Sequence, residues 1–303
     1  NREAATFAEV VDRFLLIHGP KIKPQTRIDY SRILLRDLVP KLGARKIRDI
    51  ARADLSRLHS QMADTPRKAN LMLSVVSRLM TWAAQHGFRP EDEPNPVKGL
   101  KRFREEARER YLSAAEFARL GAVLDQLDGQ ESPFVLAAVR LLILTGARLS
   151  EILTLRWQDV HLERAVLQLP DSKTGKKVVH LNPSAIAILS TLPRVHANPY
   201  VIVRRREGGR LINLQKPWRH IRRLAGLDEV RIHDLRHSFA SVAAADGASL
   251  PMIGKLLGHA NPQTTARYAH LTDSTLQELN QRVGDRIVSA MHPGNRPDGG
   301  DKQ

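Results

Sequence analysis

Residues 133–151 read PFVLAAVRLLILTGARLSE. This is an almost continuous apolar run that ends at Gly146, shortly before the charged residues Arg148 and Glu151. Pro133 is typical of the first turn of a helix, and apolar residues on all sides of that helix predict that it is buried. Gly146 predicts the helix end, because glycine adopts the left-handed backbone there without a steric penalty. The next helix is expected to begin at Arg148 or Ser150.

Outward from this helix, the second half of the sequence predicts further helices and one small sheet. Ser113 and Glu116 form a capping-box pair, which predicts a helix start. Between Val160 and Leu181 the apolar spacing becomes alternating around the turn Lys173-Thr174-Gly175-Lys176, which predicts a hairpin or a three-stranded sheet. The predicted helices are Ala114–Asp125, Pro133–Leu144, Pro183–Leu192, Gln215–Ala225, Ile232–Ala245, Leu250–Leu257, Pro262–His270 and Ser274–Met291.

The first half of the sequence predicts a bundle of helices. Pro20 and Pro24 interrupt the first helical pattern, and the second helix is expected to end before Pro40. Gly87–Gly99, a segment with three prolines, then breaks the helical pattern ahead of the basic stretch Lys98–Arg110. The helices of this half are predicted to begin near Phe7, near Thr26, at Arg52 or Ala53, and at Pro66.

These patterns predict a mainly α protein with two domains. An N-terminal helical bundle is expected over residues 1–97 and a basic linker over 98–110. A mostly α domain with a small antiparallel β-sheet is expected over 111–291. The tail at 292–303 is rich in Gly, Pro and Asp, and we expect it to be disordered.

Composition narrows the function before any motif is considered. The 303 residues include no cysteine, which excludes a disulfide framework, thiolate zinc sites and cysteine nucleophiles. The formal charge of +16 predicts a polyanionic partner, with nucleic acid favoured over a membrane surface. No signal segment and no apolar run near 18 residues are seen, which predicts a cytoplasmic protein. The start at Asn1 rather than Met predicts that an N-terminal piece is missing.

Common catalytic signatures are absent from the sequence. Ser172–Lys176 lacks the leading glycine of a phosphate-binding loop, and there is no His-Glu-x-x-His motif. His233 and His237 stand at i, i+4 on a predicted helix, a spacing that can bind a metal, but no third ligand is obvious nearby. The sequence therefore predicts neither nucleotide hydrolysis nor a metal site.

A set of polar residues lies in otherwise apolar helical contexts. Glu151 follows Arg148 at i+3, so its carboxylate can hold the guanidinium, and a purely structural buried ion pair would look the same. His233 and Arg236 share one helix face, and two arginines with a histidine suit a phosphate. Another histidine, His259, follows a helix-ending glycine. Nine residues later comes a tyrosine, Tyr268.

These residues occur in five motifs whose order and spacing resemble the tyrosine recombinase (phage integrase) family. The resemblance spans about residues 1–285. It implies a six-residue active site with no departure at any position. The motifs are Thr145–Glu151, Ser172–Gly175, His233–His237, Leu257–His259 and Tyr268, and the implied site residues are Arg148, Lys173, His233, Arg236, His259 and Tyr268.

The resemblance also implies a role for each of these residues. Tyr268 would attack a scissile phosphodiester, forming a 3′-phosphotyrosine and freeing a 5′-hydroxyl, with no metal or cofactor. Arg148 and Arg236 would stabilise the phosphorane, and His259 would donate a further hydrogen bond to it. Lys173 would protonate the leaving 5′-oxygen as general acid, and His233 would assist as a base near the tyrosine hydroxyl. Glu151 would have a supporting role, the orientation of Arg148.

The family resemblance extends to the N-terminal bundle, which looks like a SAM-like core-binding domain that closes a C-shaped clamp on double-stranded DNA. The stretch 98–110 would be a phosphate-contacting strap, and a solvated linker is the other interpretation. The apolar stripe of Ser274–Met291 either packs on its own core or contacts a neighbouring protomer. The strap residues proposed to bind DNA are Lys98, Lys101, Arg102 and Arg104, and the stripe consists of Leu276, Leu279, Val283 and Ile287.

The favoured function is a site-specific recombinase that integrates and excises a phage or genomic island. Its expected partners are DNA attachment or core sites, a homotetramer on synapsed DNA and an accessory directionality factor. Off DNA, the protein is expected to be a monomer or weak oligomer. It is expected to be bacterial or phage-encoded, to act on the nucleoid and to have no membrane partner. A missing arm-type DNA-binding domain would favour the integrase.

Three alternatives remain. A chromosome-dimer resolvase and a type IB topoisomerase-like relaxer would use the same chemistry. A non-enzymatic helix-turn-helix protein would use Ser241–Arg267, with Pro262–His270 as the reading helix. That interpretation leaves Arg148, Lys173 and Arg236 unexplained.

Overall fold

The computed structural model describes residues 5–106, 108–172, 175–204, 209–259, 261–271 and 273–291. It divides into two compact units, Asn1–Arg108 and Glu109–Gln303, each with its own hydrophobic core. The predicted site residue Lys173 and the predicted disordered tail 292–303 lie outside the described residues. No helix in the described ranges is long and apolar enough to cross a membrane.

The first unit is a helical bundle around an aromatic and aliphatic core. Helix α1 begins at a capping box, in which Thr6 Oγ1 accepts from the Glu9 N–H (3.3 Å) and Glu9 Oε2 accepts from the Thr6 N–H (2.8 Å). Phe7, Phe14 and Trp82 are buried in the core. The helices are α1 (Phe7–Ile17), α2 (Pro24–Ser31), a π-helical segment (Arg32–Leu38), α3 (Val39–Leu42), α4 (Arg52–Ser60) and α5 (Pro66–Gln85).

The expectation that the second helix ends before Pro40 is wrong. The chain stays helical from Pro24 to Leu42, because the turns ahead of the proline widen into the π-helical segment. There the Val39 N–H bonds to the Leu34 carbonyl, five residues back. A proline ring normally collides with the carbonyl four residues earlier, and the wider turn moves that carbonyl aside.

The beginning of the basic stretch packs on the first unit. Asn70 fixes the backbone of Phe103, because its Oδ1 accepts from the Phe103 N–H (3.0 Å) and its Nδ2 donates to the Phe103 carbonyl (2.9 Å). The Phe103 ring stacks on His59 with 4.1 Å between centroids. Residues up to Phe103 are therefore anchored rather than loosely solvated.

The second unit surrounds α7 (Pro133–Thr145), the apolar helix expected from the sequence, which contacts α8 (Leu149–Leu153), α9 (Pro183–Thr191) and α11 (Ile232–Ala245). Three antiparallel strands, β1 (Val160–His161), β2 (Val166–Ser172) and β3 (Gly175–His180), lie in that order, with Val160 opposite Leu167 and Leu167 opposite Val179. The elements are α6 (Ala114–Gln126), α7 (Pro133–Thr145), α8 (Leu149–Leu153), β1 (Val160–His161), β2 (Val166–Ser172), β3 (Gly175–His180), α9 (Pro183–Thr191), α10 (Gln215–Leu224), α11 (Ile232–Ala245), α12 (Leu250–Leu257) and α13 (Asp273–Met291).

The predicted α-helix Pro262–His270 is wrong, because the chain forms two short 3₁₀ turns, Pro262–Thr264 and Ala266–Leu271. The Asn261 side chain accepts from the Gln263 N–H (3.0 Å), a local bond that competes with α-helical pairing. The helix-turn-helix interpretation thereby loses its reading helix.

Helix α13 agrees with the prediction to within a residue, but the described part of its apolar stripe does not pack on the core of this chain. Val283 and Ile287 are 46% and 54% exposed. The side chains of Leu276 and Leu279 lie outside the described set. Packing of the stripe on its own core is therefore wrong for Val283 and Ile287.

Candidate active site

The junction between α7 and α8 positions the first arginine. Gly146 ends α7 with φ +59°, and a Cβ there would lie 2.5 Å from Phe239 Cδ1, so both the backbone and the packing require glycine. Arg148 is extended and precedes α8. Its N–H donates to Glu151 Oε2 (2.8 Å), which starts the helix and places the side chain at the helix entrance.

Glu151 joins two cations in the interior. Its Oε1 accepts from Arg148 Nη1 (2.6 Å) and its Oε2 from Lys177 Nζ (2.8 Å), and the Glu151 and Lys177 side chains are 3% and 4% exposed. Burial opposes the charge of Glu151, but the bonds from Lys177 and Arg148 outweigh it and hold its pKa below the usual value. Burial likewise lowers the pKa of Lys177. Glu151 thus holds both the backbone and the guanidinium of Arg148 in place.

The sequence analysis missed Lys177. It stands two residues before Val179 on β3, so both point to the buried face of the strand. The alternation along this strand is the signal that would have found it.

Arg236, on α11, is buried and binds two helix ends. Its Nη1 donates to the Gly146 carbonyl and its Nη2 to the Leu257 carbonyl (2.7 Å), the carboxyl ends of α7 and α12, where the helix dipole favours a cation. Arg148 Nη2 donates to the next carbonyl, that of Gly258 (3.3 Å). Burial and the nearby Arg148 lower the pKa of Arg236 to about 10, so it stays charged at neutral pH.

His259 directly follows this pair of carbonyls. Gly258 ends α12 with φ +65° and turns the chain so that His259 Nδ1 lies 2.8 Å from Thr265 Oγ1. Burial and repulsion from Arg236 and Arg148 lower the pKa of His259 to about 4, so the ring is neutral at pH 7. The Leu257–Gly258 turn therefore brings two guanidinium groups and a neutral imidazole together.

Tyr268 lies in the second 3₁₀ turn and is only 4% exposed, in a small apolar cluster with α11 and α12. Its N–H donates to the Thr265 carbonyl (3.0 Å), and its Oη lies 2.6 Å from His237 Nδ1. Burial raises the pKa of the phenol.

His233 occupies a different place from the one expected. Its side chain is exposed, and its ring meets the His237 ring edge-on, with centroids 4.8 Å apart. The hydrogen-bond partner of the Tyr268 hydroxyl is instead His237, one helical turn further along α11. The sequence analysis considered His237 only as half of a metal pair, and it missed Thr265 entirely.

The arrangement suits an anionic ligand. Arg148 and Arg236 repel one another, and a bound phosphate group would relieve that repulsion while accepting their hydrogen bonds. Within the described ranges, no three His, Asp or Glu side chains group as metal ligands. On the first unit, the four strap residues predicted to bind DNA are all exposed: Lys98, Lys101, Arg102 and Arg104.

Comparisons with known proteins agree with this chemistry. The sequence matches the Phage integrase family over residues 110–275 and the Phage integrase central domain over residues 7–100. A prophage phiRv2 integrase of Mycobacterium tuberculosis (strain ATCC 25618 / H37Rv) is 26% identical, over 92% of this chain and 78% of its own length.

Two solved structures share the fold. A lambda integrase (residues 75–356) dimer bound to a COC′ core site superposes with a TM-score of 0.70 at 20% identity, covering 87% of this chain and 95% of that one. A lambda integrase tetramer bound to a Holliday junction gives a TM-score of 0.66 at 20% identity, over 86% and 79%. With the family match covering more than half of the sequence, the chain belongs to the phage integrase family and is a site-specific tyrosine recombinase.

Proposed function

We propose that Tyr268 is the nucleophile that attacks a scissile DNA phosphodiester and forms a 3′-phosphotyrosine. The observation that carries this proposal is the convergence of Arg148 and Arg236 on successive carbonyls directly before His259. Positive groups held in that way stabilise the charge that develops on the phosphorane oxygens. A neutral His259 adds a hydrogen-bond donor without further like-charge repulsion.

The second half of the reaction follows from covalent catalysis. The freed 5′-hydroxyl of one strand attacks the phosphotyrosine of its partner strand, so the energy of the broken bond is kept in the protein–DNA link. Lys173 protonates the leaving 5′-oxygen in this scheme, on the family resemblance alone. Glu151 supports Arg148 through the 2.6 Å bond described above.

The biological reaction we propose is integration and excision of a phage or genomic island. The similarity to a prophage integrase over most of both chains favours this reaction over chromosome-dimer resolution and over simple relaxation of supercoils. Its substrates are double-stranded core sites in the bacterial cytoplasm. An accessory directionality factor would choose between integration and excision.

We propose that the active assembly is a homotetramer on synapsed DNA, with the free protein a monomer or weak oligomer. The exposed stripe of α13, including Val283 and Ile287, would be buried against a neighbouring protomer. The lambda integrase tetramer on a Holliday junction supports this arrangement by fold similarity. The core-binding domain (residues 1–97) and the strap (98–110), with its four exposed basic residues, would contact phosphates on each site.

The experiment is covalent trapping on a nicked duplex that carries the core site, resolved on a denaturing gel. Wild type is expected to give a protein–DNA band, and Tyr268→Phe none, because it keeps the ring but lacks the attacking oxygen. The matched control is Tyr200→Phe, a change at a tyrosine outside the site. A band of equal strength from Tyr268→Phe would assign the nucleophile to another residue.

A further inference from the structure

The hydrogen bond between His237 and Tyr268 has one consistent direction. The Tyr268 hydroxyl is buried, and among the described residues His237 Nδ1 is its only hydrogen-bond partner, at 2.6 Å. If Nδ1 carried a proton and donated it, the phenol O–H would have no acceptor. A buried donor without an acceptor is rare, because it lowers the free energy of unfolding. The phenol therefore donates, and the proton of the neutral imidazole is on Nε2.

The groups that face His237 keep it unprotonated. His233 and Arg236 lie on its own helix, and Arg267, His259 and Tyr268 come from the segment after α12. Burial first, and then repulsion from Arg267, Arg236 and the protonated forms of the two other histidines, lower the pKa of His237 to about 4. An anionic phosphate at the arginines would offset that positive field, so the imidazole becomes more basic when the substrate is bound.

We propose that His237 is the group that takes the phenol proton when Tyr268 attacks phosphorus, an inference that rests on the proposed role of Tyr268 as nucleophile. In this step the O–H bond of Tyr268 breaks and an N–H bond forms at His237 Nδ1. The Oη–phosphorus bond forms as the bond from phosphorus to the 5′-oxygen breaks, and a separate acid protonates that oxygen. In the reverse step His237 returns the proton to Tyr268.

His237 thus fills the position that the family resemblance gave to His233. The exposed His233 makes no hydrogen bond to the phenol and contacts the His237 ring by its edge instead. General-base catalysis requires hydrogen-bond reach to the proton that is removed, which His237 has.

The test uses His237→Asn, whose amide oxygen can accept the phenol hydrogen bond but cannot take its proton. Covalent-complex formation is measured on a nicked core-site duplex with an ordinary phosphodiester, and on one with a 5′-bridging sulfur, a leaving group that needs no acid. His237→Asn is expected to slow both substrates about 100-fold. Lys173→Ala should slow only the oxygen substrate. His196→Asn, at an exposed loop position, serves as the matched control and should behave as wild type.

A second measurement separates proton removal from mere holding of the ring. Incorporation of 3-fluorotyrosine lowers the pKa of the phenol, so it should restore part of the rate of His237→Asn. His237→Asn with ordinary tyrosine should also form the covalent complex faster as the pH rises toward the pKa of tyrosine. His237→Gln repeats the test if the asparagine variant melts early or loses DNA binding.

Each other outcome has a defined meaning. Unchanged or faster covalent-complex formation by His237→Asn or His237→Gln would overturn the proposal, because the histidine would then only restrain the nucleophile. A loss confined to His233→Asn would overturn it in favour of that residue. A covalent band that persists in Tyr268→Phe would instead refute the proposed nucleophile, independently of His237.

Discussion

Replacing Lys177 by methionine removes one end of a buried ion pair while keeping most of the side-chain volume. Breaking such a pair at one end typically costs about 3–5 kcal/mol, because an uncompensated charge remains in the interior. Here Glu151 keeps its two bonds from Arg148, at 2.6 and 2.8 Å, so the carboxylate is not left alone. We therefore expect a loss near the lower end, about 3 kcal/mol in the free energy of unfolding.

The assay is urea denaturation at neutral pH, followed by tryptophan fluorescence. The change Trp82→Phe silences the tryptophan of the first unit, so Trp157 and Trp218 report on the second. With a slope of about 2 kcal/mol per molar urea, the midpoint should fall by about 1.5 M. The matched control is Lys176→Met, one residue earlier on the exposed face of β3, which should change the stability by less than about 0.5 kcal/mol.

A Lys177→Met variant as stable as Lys176→Met would refute this reasoning. Partial restoration of stability by the second change Glu151→Gln is the positive counterpart, because it removes the buried negative charge that Lys177 no longer balances. The pair should then be less destabilised than the sum of the single variants.

Three further predictions concern catalysis and binding. Because the pKa of His237 is lowered to about 4 in the free protein, covalent-complex formation at subsaturating core-site DNA, which reports on the free protein, should stay constant between about pH 5.5 and 8 and fall only when Nδ1 becomes protonated near pH 4. Thr265→Val should slow cleavage about 10-fold by removing the hydroxyl that holds His259 Nδ1 at 2.8 Å, whereas Thr265→Ser should retain most activity in the same assay. If the protein neutralises about 6–10 phosphates, affinity for core-site DNA should fall about 10³–10⁵-fold between 50 and 200 mM salt, measured by fluorescence anisotropy.

Each of these predictions has an outcome that contradicts it. At subsaturating DNA, a midpoint near the ordinary histidine pKa of 6.5 would mean that burial does not control His237 in the free protein. Equal rates for the valine and serine variants would show that the Thr265 hydroxyl does not position His259. A flat salt response would argue against phosphate contacts by both halves of the chain.

The sequence predicted most of the helices, because their apolar periodicity and their end signals are local properties. The capping pair Ser113–Glu116 and the glycine after α7 are read directly from neighbouring residues. The errors fell where geometry departs from the regular α-helix. The π-helical segment carries the chain past Pro40, and side-chain bonds shorten the helix expected at Pro262.

The candidate site was predicted residue by residue only where a motif carried it. Arg148, Arg236 and His259, which belong to three different motifs, come together at the Leu257–Gly258 turn. Lys177 and Thr265 were missed because neither belongs to one of the five motifs, and their bonds to Glu151 and His259 form only in the folded chain. His237 was visible as a helical neighbour of His233, but which of the two rings faces Tyr268 depends on how α11 packs against the turn after α12.

The most direct test of the central claim is to locate the covalent bond itself. After trapping on the nicked duplex, nuclease and trypsin digestion should leave the nucleotide on the peptide 268–282, which follows Arg267 and contains Tyr268 as its only tyrosine. The released DNA end should carry a free 5′-hydroxyl that accepts phosphate from polynucleotide kinase without prior phosphatase treatment. A nucleotide on any other peptide, or a released end that already carries a 5′-phosphate, would contradict the account.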